Sequence, residues 1–130
     1  MKEATKWIVR VRADLRCEYC GVHQRQCRYT HHIEHIEAIS NGGAREDPDN
    51  LALACHRCNL AKGARKMAVD PASDLPMTLF HPRLHTWSTH FRVDASGYIE
   101  GTTPTSRATV SALKMNVPVR LVERLRERLP

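Results

Sequence analysis

The segment DNLALACHRCNLAKG, Asp49 to Gly63, decides how the rest of the chain is read. Its first half, Asn50 to Cys55, is a short apolar run that reads as a strand or an extended entry. Its second half, His56 to Arg65, reads as a short helix. At the junction Cys55 and Cys58 form a Cys-x-x-Cys knuckle, and CEYC carries a second one at Cys17 and Cys20. Two such knuckles supply four thiolates for tetrahedral zinc, because each short turn lets two sulfurs approach one ion at about 2.3 Å. A site closed by four sulfurs leaves no position for water, so this zinc is expected to be structural. Two Cys-x-x-Cys disulfides are the weaker alternative, since such bridges are mainly redox devices. Cys27, the fifth cysteine, has no matching partner and reads as a bystander.

At 130 residues one compact domain is expected, small enough to gain from a metal staple. The net charge of +6 favours a polyanionic partner, since each Lys or Arg near a phosphate releases counterions. No stretch reads as a secretory leader, and none approaches the roughly 18 apolar residues of a membrane span. A soluble cytoplasmic protein is expected, and in a reducing compartment paired cysteines more often hold metal than form disulfides.

Outward from the knuckles, residues 4 to 15 read as an amphipathic helix with Trp7, Ile8, Val11 and Leu15 on one face. Arg28 to Ile39 reads as a strand, and SNGG as the turn that follows it. Val69 to Pro76, rich in Pro, Asp and Ser, reads as a connector. Beyond it, MTLFHPRLHTWSTHFRV and GYIEG read as strands of a small hairpin or meander. TPTSRATVSALKMN reads as a capped helix, and Pro118 admits a last one with Leu121, Val122, Leu125 and Leu129 on a shared face.

The stretch THHIEHIEAISNGG, Thr30 to Gly43, carries the candidate chemistry. Hydrolysing a phosphodiester needs an activated water, an offset for charge at phosphorus and stabilisation of the leaving oxygen. Glu34 and Asn59 offer oxygen donors suited to magnesium or manganese, and an imidazole such as His35 can take a proton from water near neutral pH. On a strand Glu34 and His35 point to opposite faces, so the strand must end or bend there if they share a site. Asn59 follows Cys58 directly, so the zinc site would fix where its side chain points.

CEYC, HIEHI, SNGG, DNLALACHRCN and KG, in that order from Cys17 to Gly63, resemble the HNH endonucleases of the His-Me finger, or ββα-metal, group. The segment LFHPRLHTWSTHF through GTTPTSRATVSALKMN also resembles the C-terminal extension of small bacterial proteins of this type. The resemblance implies an α+β fold: a small ββα-metal core with zinc knuckles, an N-terminal helix, and a C-terminal hairpin plus helices. By this likeness His35 is the general base and Asn50 holds the loop between the strands and orients that base. Glu34 and Asn59 are then the protein ligands of a catalytic Mg2+ or Mn2+, and His32 neighbours the site or the substrate phosphate. Products with a 5′ phosphate and a 3′ hydroxyl follow. The chain departs from the pattern where Glu34 replaces the commoner Asp, and where Ala38 stands in HIEAIS without the usual proline.

Residues 1–68 are therefore expected to form the zinc-stabilised nuclease core and 69–130 an extension packed on it. Lys62, Arg65 and Lys66 could bind flanking phosphates or form a solvated charged face. Trp87 and Phe91 read as hairpin packing in preference to base stacking. The expected partner is DNA, with branched and single-stranded forms open and no membrane, acting as a monomer or a homodimer. The rival reading is a noncatalytic zinc module that binds nucleic acid through its basic surface.

Overall fold

Short elements joined by specific side-chain clamps build the chain, which a computed structural model describes over residues 1–129. It divides into two compact units, residues 1–64 and a second beginning at Arg65. The fold is α+β, with helices and small antiparallel strand pairs.

The first unit contains α1 (Glu3–Arg12), β1 (His32–His35), β2 (Leu51–Ala54) and α2 (His56–Lys62). β1 and β2 pair antiparallel, with His32 opposite Ala54 and His35 opposite Leu51, and α2 follows directly, which gives a small ββα arrangement. β1 is shorter than its β-branched sequence suggests. At its start the His31 amide donates to the Gln24 side chain at 3.0 Å. Past its end the chain turns into a short 3-10 segment, Ile39–Asn41, closed by Gly42 at φ +91, a backbone that favours glycine.

α1 buries a face other than the expected one. Thr5 and Val9 are buried and Ala13 half-buried, a strip at fourfold spacing. Val9 packs with Leu51 and Leu53, and Ala13 and Ile33 adjoin them. Trp7, Ile8 and Val11 point outward, with Trp7 63 % and Val11 66 % exposed. Small residues let the helix lie close on a four-residue strand, and the Arg12 guanidinium fixes its rotation by donating to the Pro48 and Leu51 carbonyls.

The second unit begins with a hairpin that sequence reading missed: β3 (Met67–Val69) pairs with β4 (Pro76–Thr78). The expected connector is its loop, organised by Asp70. That buried carboxylate accepts from the Ala72 amide, the Ser73 hydroxyl and, bidentately, the Arg107 guanidinium at 3.0 and 2.9 Å. The Arg107 hydrogen bonds hold it well below the usual carboxylate range.

Part of the expected meander is instead the single-turn helix α3 (Trp87–His90), which leads into the hairpin β5 (Phe91–Val93) and β6 (Ile99–Gly101). α4 (Pro104–Ala112) starts at a capping box between Thr103 and Ser106. α5 (Pro118–Glu127) reverses the expected face: Arg120, Glu123 and Arg124 are buried, while Val122 and Leu129 are half or more exposed. Its arginines dock on backbone carbonyls, Arg120 on Leu113 and Arg124 on Gly97 and Met115. No helix among the described residues is long and apolar enough to cross a membrane.

Candidate functional site

The two knuckles meet as their spacing requires. Cys17, Cys20, Cys55 and Cys58 are all buried, and their four sulfurs lie within 4.8 Å of one another. The Cys20 and Cys55 sulfurs are 3.7 Å apart. That is far from the roughly 2.05 Å of a disulfide and close to the about 3.8 Å edge of a tetrahedron with metal–sulfur bonds of about 2.3 Å. The Cys20 amide donates to Cys17 Sγ and the Cys58 amide to Cys55 Sγ, each at 3.4 Å, which steadies negative charge on sulfur. Burial pushes the Cys17 and Cys58 thiols well up, whereas the hydrogen bond with Cys17 holds Cys55 down. Four buried sulfurs at tetrahedral spacing fit a thiophilic divalent ion such as zinc.

This cluster positions the neighbouring elements. The Cys55 side chain caps α2. In the first knuckle the Glu18 amide donates to the Leu53 carbonyl and the Glu18 carboxylate accepts from the Leu53 amide, both at 2.8 Å. β2 is thereby held between β1 and the knuckle.

His35 closes β1 and is half-buried. Its Nε2 lies 2.7 Å from the Arg45 carbonyl oxygen. A carbonyl can only accept, so Nε2 carries a proton, and in the neutral ring Nδ1 is left with the lone pair. Asn50 clamps the loop that supplies Arg45. Its Oδ1 accepts from the Glu37 amide at 2.9 Å, and its Nδ2 donates to the carbonyls of Glu37 and Ala44 at 3.0 and 2.9 Å. Gly43 lies so close to Glu37 that a Cβ there would overlap the Glu37 carbonyl. Ala38 adopts φ −59, an angle that proline would impose, so the loop keeps the extended turn without that residue.

Asn50→Asp therefore replaces a two-bond donor with an oxygen facing two carbonyls. It is expected to lower the stability of the first unit by about 2 kcal/mol, read as an earlier urea midpoint.

Glu34 lies where its expected role is hardest to perform. It is buried, with Tyr19 donating its hydroxyl to Oε1 and the Lys62 ammonium 3.2 Å from Oε2. Burial pushes its carboxyl up, against the opposing charge of Lys62 and the hydrogen bond from Tyr19. Both oxygens are engaged and a cation already faces them. The donor set of Glu34 and Asn59 does not fit a divalent ion as the side chains stand.

Lys62, expected among the phosphate-binding residues, is a correction of the same kind. It is 2 % exposed and also donates to the Ile36 carbonyl at 2.9 Å, so its charge is spent inside the unit. Four residues after buried Cys58, it shares the inward face of α2, a spacing visible in the sequence. Tyr19 was the missed member of this trio.

Removing Lys62 would leave the Glu34 carboxylate buried and unpaired. Lys62→Met is expected to cost about 3–5 kcal/mol at neutral pH. Folded Glu34 would then hold its proton more tightly than unfolded Glu34. The variant's stability should be highest in mild acid and fall as pH rises from the ordinary carboxylate range through the raised folded value. Urea unfolding in mild acid and at neutral pH checks this.

The other expected residues are more open. Asn59 is half-buried with no side-chain hydrogen bond among the described residues. His32 is exposed and faces His56, with Nε2 and Nδ1 3.3 Å apart. Arg65 and Lys66 are exposed, and the Arg65 guanidinium donates to the Ala112 carbonyl. His31 is buried against the Val22 carbonyl, and Trp87 stacks on Phe91.

Residues 17–65 match the HNH endonuclease family. No curated protein and no solved structure matches the chain. The matched segment contains the four cysteines, His35, Asn50 and Asn59, and the first unit brings the four cysteines together.

Proposed function

We propose that the first unit is an endonuclease that hydrolyses DNA phosphodiester bonds, with His35 as general base. The carrying observation is the hydrogen bond from His35 Nε2 to the Arg45 carbonyl, which in the neutral ring leaves Nδ1 of this half-buried side chain as an oriented proton acceptor. In this reading Nδ1 takes a proton from water as the water oxygen attacks phosphorus, and the 3′ oxygen leaves. Asn50 is a positioning residue: it holds the loop whose Arg45 carbonyl aims the ring. The family match and the +6 charge support nucleic acid as the substrate class. Nicks ending in a 5′ phosphate and a 3′ hydroxyl are what the likeness to HNH enzymes implies.

Reactions of this class draw on a divalent cation to offset charge at phosphorus. Because Glu34 is closed by Tyr19 and Lys62, no step is assigned to an ion on that carboxylate. The same closure favours a second reading, a zinc-bearing module that binds nucleic acid without cutting it. Supercoiled DNA incubated with the protein in magnesium, manganese, cobalt or zinc separates the two: nicking supports the nuclease, and retardation without nicking in any metal supports the module.

A further inference from the structure

Two exposed imidazoles stand close together on the α2 side of the β1–β2 hairpin. His32 comes from the first residue of β1 and His56 from the first of α2. Their facing nitrogens, Nε2 of His32 and Nδ1 of His56, are 3.3 Å apart, and their ring centroids 5.5 Å. The edge of a tetrahedral site with metal–nitrogen bonds of about 2.0–2.1 Å is about 3.3–3.4 Å.

Both rings are mounted on elements that the structure fixes. β1 is locked in register with β2, so His32 lies opposite Ala54. α2 is anchored at Cys55, the residue before His56, and the His56 ring also packs on Tyr29 at 4.9 Å between centroids. The positive end of a helix disfavours a cation, but here the Cys55 sulfur caps it.

We propose that His32 and His56 chelate a divalent transition-metal ion, with water completing the shell. Imidazole nitrogens select zinc, cobalt, nickel or copper over magnesium. Each ring presents its lone pair by carrying its proton on the other nitrogen, and the ion replaces the contact between them. This site is distinct from the four-cysteine cluster and from Glu34, and it does not rest on the nuclease reading.

The test is calorimetric titration of zinc into the untagged full chain, purified with its cysteine site already loaded. The expected result is one further equivalent of zinc per chain. His32→Ala and His56→Ala, both at exposed positions, should each weaken that second site by roughly 100-fold or more. Loss of a group that merely hydrogen-bonds a ligand costs less, about 10–100-fold. His85→Ala, in the second unit, should leave it unchanged. Absence of a second equivalent in the wild type, or a second equivalent that survives His56→Ala, overturns the proposal. Because the readout is binding, a protein that never cleaves DNA leaves this outcome unaffected.

Discussion

Cys58→Ser is expected to leave residues 1–64 largely unfolded at room temperature. The four sulfurs draw together the first knuckle, the end of β2 and the start of α2. Its apolar core is Val9, Leu51 and Leu53 with Ala13 and Ile33 beside them. Structural zinc of this kind contributes on the order of 10–16 kcal/mol to folding, against about 5–15 kcal/mol of net stability for a typical domain. Losing one thiolate, with a hydroxyl left in a buried site, should remove most of that contribution. Circular dichroism and zinc content check it together: the variant should lose helix signal and retain no stoichiometric zinc. Chelation of the wild type should do the same, whereas Cys27→Ser, which alters no member of the cluster, should do neither. Full zinc retention and an unchanged melting curve in the Cys58 variant would sink the scaffold.

His35→Ala is the second large effect. Loss of a positioned general base typically costs about 10²–10⁴ in rate. The substitution removes the lone pair at Nδ1 while the Arg45 carbonyl, partly exposed, turns to water. DNA affinity should change little, since phosphate contacts rest on cationic side chains, and the fold should survive because the position is half-buried at a strand end. Single-turnover cleavage with a parallel gel-shift measurement separates the two readouts. Equal cleavage by variant and wild type would remove His35 from the mechanism.

How much of this was legible in the sequence depends on whether the deciding contacts are local. The Cys-x-x-Cys pairs set ligand geometry within four residues, so their meeting could be read directly, as could the strand and helix around Cys55. Asn50 reaches across thirteen residues to Glu37, and it was the resemblance to HNH enzymes that pointed to it. Glu34 shows where residue identity misleads: the acid beside the base looks like an open ligand until Tyr19 and Lys62, fifteen and twenty-eight residues away, fold over it.

Helix rotation was the other failure. On α1 and α5 the most apolar stripe points outward because Arg12, Arg120 and Arg124 bind specific carbonyls and turn the helices. Hydrophobic periodicity ranks side chains by apolarity, and arginine clamps of this kind carry no weight in it. The β3–β4 hairpin was hidden for a related reason: its loop is held by the distant ion pair between Asp70 and Arg107.

The proposed reaction of the first unit is hydrolysis of DNA with the chemistry its His35 geometry allows. Nicked plasmid produced by the wild-type protein, treated with a DNA ligase, tests it most directly. The expected nicks reseal without prior enzymatic repair, because hydrolysis with a 3′ leaving oxygen leaves a 5′ phosphate beside a 3′ hydroxyl. Plasmid that is bound and retarded yet stays intact in every divalent metal, or nicks that resist ligation, would contradict it.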